Sequence, residues 1–401
     1  MAINTDMAGG HAGSGSGGVL ALLNDTRYRG IIAQIALIIA LVALGWWLVH
    51  NTIENLRSAN IASGFDFLDR RSGFEISQLP IIFSSESSYG RALLIGILNT
   101  LIVSAAGVVL ATILGFLVGI GRLSTNYIIR GLSTVYVETF RNIPPLLVIM
   151  FWYFGVLAVL PRPAGAIALP FGSFLSNRGL QTPTALFQTG AWATGVALLA
   201  GIGAAVLLAW YARKRQLATG QRMKVLWPSV GLIVGLPVVV FILTGLPVEF
   251  EYPTATRFNL QGGFQIKPEF LALFLALSVY TGSFIAEIVR AGILSVSHGQ
   301  TEAASAVGLR RGQILRHVVV PQAFRVIIPP LTSQYLNLTK NSSLGLAVGY
   351  PDLVAVGSTV LNQTGQSVEV VAIWMVVYLT ISLTVSTFMN WFNRRVKLVE
   401  R

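Results

Sequence analysis

Residues 299–321 read GQTEAASAVGLRRGQILRHVVVP. The alanine-rich run 301–307 favours helix, because alanine loses no side-chain entropy there. Gly308 can take the left-handed conformation that ends a helix. A second helix-like run, 309–320, follows, and is expected to stop at Pro321, which has no N–H to donate and clashes with the preceding turn. The spacing predicts a helix–turn–helix projecting between two apolar runs, with small residues on one side where another protein can approach closely. The same composition also suits an amphipathic helix lying on lipid headgroups.

The chain around this stretch has 401 residues, 54% hydrophobic and 11% charged, whereas soluble domains carry about 25% charged residues. So apolar a chain needs lipid, not water, around most of its surface. The net charge of +12 does not indicate nucleic acid, because the basic residues sit in short clusters between long apolar runs, the pattern of cytoplasmic membrane loops. There is no cysteine, which excludes disulfides and thiolate metal sites. His11, His50, His298 and His317 are scattered, and no two lie within one helix turn, so no metal site is expected.

Hydropathy predicts an all-α polytopic bundle of about eight transmembrane helices. Residues 1–30 include the side-chain-poor GGHAGSGSGG at 9–18 and are expected to be a disordered cytoplasmic N-terminus. Residues 31–90 are read as a retained first span, 31–49, ending at Trp46 and Trp47, followed by a polar external loop. Further spans are expected at 92–120, 134–160, 190–210, 227–246, 269–292, 324–360 and 370–392, with 324–360 interrupted by Pro329, Pro330, Gly345, Gly349 and Pro351. Residues 161–189 read as a Pro/Gly-containing connection, 247–268 as a second external loop, and 393–401 as a cytoplasmic tail. With the N-terminus inside, eighteen of the 28 basic residues fall on the inner side and eight in external loops; Arg141 and Lys340 lie within apolar segments. That asymmetry places both termini, and the loop carrying Arg213, Lys214, Arg215, Arg222 and Lys224, in the cytoplasm.

The spacing within 299–321 resembles the EAA loop of ABC importer permeases: EAA, three residues, Gly, nine residues, Ile, one residue, Leu-Pro. Here the pattern runs Glu302, Ala303, Ala304, Gly308, Val318, Val320, Pro321, with valine in place of the Ile and the Leu. YVETFRNIPPLLVIMFWYFG at 136–155, YTGSFIAEIVRAGILSVSHGQTEAA at 280–304 and PQAFRVIIPPLTSQYLNLTKNSSLGLAVGYPDL at 321–353 are similar to the polar amino acid subfamily, related to the histidine and glutamine permeases. The likeness covers 91–160 and everything from about 269 onward. An insertion at 161–268, with two extra spans, departs from the compact pattern; its size is similar to that of the broad-range permeases for glutamate, glutamine, aspartate and asparagine.

The resemblance implies a type I importer transmembrane fold over 91–392, with 297–321 as the cytoplasmic coupling loop, and passage of polar L-amino acids across a bacterial inner membrane by alternating access. It also implies a separate ATPase subunit docking on that loop, a second homologous permease and a periplasmic amino-acid-binding protein. No GxxxxGK[ST] loop occurs in the chain, so ATP and magnesium would be bound by the ATPase and no cofactor by this subunit, which is then not itself an enzyme. Two other readings remain: an ion-coupled secondary amino acid transporter, which predicts inverted repeats, and a non-transporting membrane scaffold, which gives no reason for the loop spacing.

Ionisable groups inside apolar spans face a cavity or a partner. Glu138 and Arg141 are three residues apart, so on a helix they can pair; with Asn142, ahead of Pro144 and Pro145, they either line a pathway or hold a kinked helix. Tyr280, Ser283, Glu287 and Arg290 form one polar stripe, whose upper part suits substrate contact and whose lower part suits anchoring the loop. Lys340, Asn341, Ser342 and Ser343 interrupt a span. Lys340 suits either a substrate α-carboxylate, with Glu138 or Glu287 serving the α-amino group, or a Lys–Glu pair that stays closed throughout.

Overall fold

The computed structural model describes residues 26–58, 64–257 and 259–396. Of the expected tails at 1–30 and 393–401, residues 1–25 and 397–401 lie outside them, while 26–30 and 393–396 are helical, continuing the adjoining apolar runs. Helix α1 (Thr26–Ser58) carries the first apolar run and buries none of its most apolar window against the rest of the chain. A loop containing a short 3-10 turn at Asp66–Asp69 leads to α2 (Tyr89–Gly121), whose N-terminus is capped by the Ser88 hydroxyl accepting from the Arg91 N–H.

The expected third span is two helices. α3 (Tyr127–Asn142) and α4 (Pro145–Leu157) meet at 111°. The break follows from the two prolines: Ile143, before Pro144, is driven to an extended conformation with φ −100° and ψ 132°. Pro145 then starts a new helix, where its missing N–H costs nothing. The thirteen residues of α4 rise about 20 Å, less than the hydrocarbon core of about 30 Å, so α4 does not cross by itself; the bent pair is one broken span or a re-entrant loop.

The insertion contains unexpected β-structure. Strands β1 (Ile167–Leu169), β2 (Ser173–Ser176), β3 (Gly179–Thr182) and β4 (Thr184–Phe187) precede helices α5 (Ala191–Thr219) and α6 (Leu226–Leu243). Strands β5 (Val248–Glu251), β6 (Thr254–Ala255), β7 (Leu260–Gln261) and β8 (Phe264–Ile266) follow. The sheet order is β1-β2-β3-β8, with β4–β5 and β6–β7 as separate antiparallel pairs. Leu180 pairs with Ile266 and Phe187 with Val248. The stretches read from sequence as two irregular loops, 161–189 and 247–268, are therefore one platform, and α5–α6 is a hairpin that leaves it and returns.

Helix α7 (Pro268–Leu294) is the centre of the bundle, with Ala272, Leu273, Ala276, Leu277, Ile285, Ala286 and Val289 buried. α2 lies directly against it: a Cβ on Gly119 would stand 2.6 Å from the Ala286 carbonyl oxygen, so the two backbones meet through glycine, as membrane helices do. Helix α8 (His298–Ala306) follows, then α9 (Arg311–Val348), which turns 3-10 from Ser342.

α9 corrects two expectations. The helix does not stop at Pro321, and Pro329 and Pro330 do not break it. A π-turn at Leu315–Val319, in which the Val320 N–H reaches back to the Leu315 carbonyl, sits just before Pro321 and rearranges the turn that the proline ring would otherwise strike. The same device recurs at Gly231–Gly235, ahead of Pro237 in α6. The break in the seventh span comes later, where Gly349 has φ +80°. There the Asn99 amide donates to the Pro351 carbonyl at 2.9 Å and the Tyr350 hydroxyl to the Asn99 carbonyl at 2.8 Å. α10 (Leu353–Thr364), capped by Asp352 accepting from the Ala355 N–H, and α11 (Ser367–Val396) complete the chain.

Among the described residues, seven helices are long and apolar enough to span a membrane, or eight if the bent pair α3–α4 counts as one span, in agreement with the hydropathy reading of about eight.

Candidate functional site

The chain turns between α8 and α9 by a complete Schellman motif. The Leu309 N–H donates to the Ala304 carbonyl at 3.2 Å and the Gly308 N–H to the Ser305 carbonyl at 2.9 Å, the two bonds that define this helix ending. Gly308 has φ +81°, and nothing stands within 4 Å of the place where its Cβ would be. The glycine is needed for its backbone angle, not for room. Gln313 closes the start of α9, its Oε1 accepting from the Arg310 N–H at 2.9 Å.

Beneath the turn, Ala304, Ile314 and Val319 are buried together, with Ile293, Val296, Leu309 and Val318 packed around them. This cluster joins α8 to the last turn of α7 and the first turns of α9. Movement of the projecting pair therefore carries the ends of two core helices with it. Glu302 and Ala303 are exposed, and Glu302 bonds His298 at 2.9 Å, one turn back. Pro321 lies within α9 below the π-turn.

The expected pair of Glu138 with Arg141 does not form. Glu138 instead bonds Arg122 at 3.4 Å. Arg122, just past the end of α2, also bonds Glu287 on α7, and Glu287 holds Arg290 at 2.6 Å. Arg141 stacks its guanidinium 5.5 Å from the centre of the Phe284 ring and lies within electrostatic reach of Glu287. Glu138, Arg141 and Glu287, expected separately, are thus one network tying α2, α3 and α7 together, at the end of α7 that leads to the Gly308 turn. Its hub, Arg122, was read from sequence as a loop charge that orients the chain. Charge counting assigns a residue to a side, and cannot show that it reaches back to two carboxylates.

Of the remaining expected residues, Asn142 donates to the Glu138 carbonyl of its own helix. Ser283 is fully buried, its hydroxyl donating to the Tyr280 carbonyl at 2.6 Å. Tyr280 packs against Phe284. Ser342 is also fully buried and donates to the Thr339 carbonyl, and Ser343 to that of Lys340. Lys340 is exposed and, among the described residues, its ammonium has no carboxylate partner. The closed Lys–Glu pair is not formed among the described residues, and Glu138 and Glu287 are both held by arginines.

The bundle thus has central helices that end in a two-helix turn seated on a buried apolar cluster. The chain belongs to the binding-protein-dependent transport system inner membrane components, whose family model matches residues 107–398. Membership places the bundle in the type I importer class expected from its sequence. The chain is 59% identical over 377 residues to the general L-amino acid transport system permease protein AapQ of Rhizobium johnstonii, covering 94% of each. It is 50% identical to the amino-acid ABC transporter permease protein YhdX of Escherichia coli K12, covering 96% of this chain and 98% of that one. It is 43% identical to the glutamate/glutamine/aspartate/asparagine transport system permease protein BztB of Rhodobacter capsulatus, covering 95% and 96%.

Proposed function

We propose that this chain is the permease subunit of an ATP-driven importer for polar L-amino acids. The names of its relatives, and their near-complete alignment with it, support that substrate class. An ATPase subunit docks on the turn formed by Glu302, Ala303, Ala304 and Gly308, and the stretch down to Pro321 transmits its closure. ATP and magnesium belong to that ATPase, so this chain hydrolyses nothing. A second, homologous permease completes the pathway, and a periplasmic binding protein delivers the amino acid. Both termini are cytoplasmic in this reading.

The observation that carries the reading is the Schellman turn at Gly308, seated on a buried cluster shared by α7, α8 and α9. It supports reading the projecting pair as a lever rather than as a loose surface helix. In the pathway, Lys340 and the neighbouring Asn341 and Ser343 meet the substrate carboxylate on the face where the second permease stands. A lone ammonium in an apolar span needs an anion, and the described residues supply none.

The test uses the absence of cysteine. Ala303→Cys gives the permease a single thiol, which should crosslink to the ATPase in the assembled transporter, in amounts that change with ATP. A thiol that reacts freely with small reagents yet never reaches the ATPase would overturn the docking site. Uptake that collapses with the ion gradient while ATP is held constant would favour the ion-coupled reading.

A further inference from the structure

The α5–α6 hairpin ends in five cations. Arg213, Lys214, Arg215, Arg222 and Lys224 are all exposed and lie within twelve residues of one another at the end away from the β-platform. None is in an ion pair among the described residues. Local neutralisation is ruled out by the sequence, because no Asp or Glu occurs between Glu138 and Glu249. The Arg215 guanidinium reaches only the Met223 sulfur, at 3.7 Å.

The residues beside the cations are those that sit at a headgroup layer. Trp210, Tyr211 and Trp227 are 61%, 52% and 75% exposed. Lys214 places its ammonium 5.4 Å from the centre of the Trp210 ring, so an apolar ring and a cation are presented together. Above the tip the hairpin is turned outward. α5 buries only Ala197, Gly201, Ala205 and Ala212, a small-residue face, and α6 buries no residue fully. Leucine, isoleucine, valine and tryptophan cover the rest.

We propose that this hairpin tip is a binding surface for anionic lipid, recognising the phosphates of a negatively charged leaflet. An unneutralised cluster of four to eight Lys or Arg next to a span is attracted to such a surface, and each residue near it strengthens binding about fivefold. The aromatic rings fix the depth at which the cations meet the phosphates. Charges that serve only to orient the chain during insertion would leave no lipid preference in the finished protein, which makes the two roles separable.

The experiment takes the purified full-length chain in mixed micelles of phosphatidylglycerol and phosphatidylethanolamine and measures the lipid retained, by native mass spectrometry. The wild type should retain phosphatidylglycerol in preference to phosphatidylethanolamine. Arg213→Gln, Lys214→Gln, Arg215→Gln, Arg222→Gln and Lys224→Gln combined should cut that preference by about tenfold or more. Arg162→Gln with Arg178→Gln, on the platform, should leave it unchanged. Raising salt on the wild type from about 0.05 M to about 0.5 M shortens the Debye length and should weaken the preference, a measurement that stands if the fivefold variant does not fold. Equal retention of the two lipids by the wild type, or a preference untouched by both salt and the tip substitutions, would overturn the proposal. So would protection of the tip by the ATPase alone, in neutral detergent, since the cations would then serve a protein partner.

Discussion

Two halves of this molecule span a membrane by opposite means. In the core, 61% of the residues in the most apolar window of α7 are buried, against 17% in α5 and 6% in α6 of the inserted hairpin. α7 is held by α2 through glycines, by α9 through Ala323, Ile327 and Ile328, and by the Arg122–Glu287 network. The hairpin is held by its own small-residue face and by the β-platform at its base. One is an element packed against its neighbours on most of its surface, the other an element that leaves most of its surface uncovered by this chain. A substitution of the same chemistry should therefore have opposite consequences in the two places.

The largest effect is expected at Gly119. Gly119→Val places a branched side chain against the Ala286 backbone oxygen, where even a Cβ stands at 2.6 Å. Overpacking of this kind costs about 1–3 kcal/mol when side chains can give, and here the obstacle is backbone, so the upper end or more is expected. Gly203→Val in α5 meets nothing within 4 Å and should stay within about 0.5 kcal/mol of wild type. Thermal unfolding of the two purified variants checks this, and equal losses would show that the hairpin is packed as tightly as the core.

Next comes the coupling turn. Gly308→Asp keeps the space but forces a side chain onto φ +81°, a strain of about 1–2 kcal/mol, and sets a carboxylate on the docking face. Uptake should be lost with normal membrane abundance, and the ATPase should be either unassembled or no longer stimulated by loaded binding protein. Glu302→Lys should weaken uptake less, because Glu302 is exposed and bonds only His298. Wild-type uptake by Gly308→Asp would reduce the pair α8–α9 to a surface helix, and the distinction between a moving core and a passive insertion would fail at its clearest point.

How much of this was legible follows the same division. The turn could be read because its information is local: a glycine seven residues after Thr301 decides the backbone angle by itself. The spans could be read because length and hydropathy are local too. The β-platform could not, since its strands are two to four residues long and β3 finds its partner β8 across more than eighty residues. No alternating pattern survives at that length. The Glu138–Arg141 pairing failed because helix spacing describes only neighbours on one helix, whereas the turn between α2 and α3 lets Arg122, at the end of α2, reach Glu138 from another element. Pro321 was expected to end a helix on the rule for an α-turn, and the π-turn before it changes the geometry to which that rule applies.

A smaller effect is expected at Lys340. Its ammonium is exposed on a core helix, with no carboxylate partner among the described residues. Lys340→Met should lower uptake of acidic and neutral polar amino acids while the transporter still assembles, because methionine keeps the length of the side chain and removes the charge. Measured KM should rise more than the maximal rate falls if the residue binds the substrate carboxylate. Unchanged uptake across several amino acids would move the pathway to another residue, and unchanged KM with a lowered maximal rate would make Lys340 part of the moving core instead.

The smallest effect on uptake is expected from the most drastic change. Phe187 and Val248 are paired at the mouth of the hairpin, and Gln188 donates its N–H to the Pro247 carbonyl there. Replacing 188–247 by Asn-Gly should close β4 and β5 directly, since paired strand ends lie about 5 Å apart and that dipeptide favours the two-residue turn such ends accept. Two crossings leave together, so the flanking segments stay on the same side of the membrane. The shortened chain should insert, assemble with its ATPase and import amino acids, and it should lose the preference for anionic lipid. If it assembles but no longer transports, the hairpin acts on the core through the platform, whose strand β8 runs straight into α7 at Pro268. If it fails to reach the membrane at all, α5 and α6 are part of the folding unit, and their low burial reflects contacts made with another chain and not with lipid.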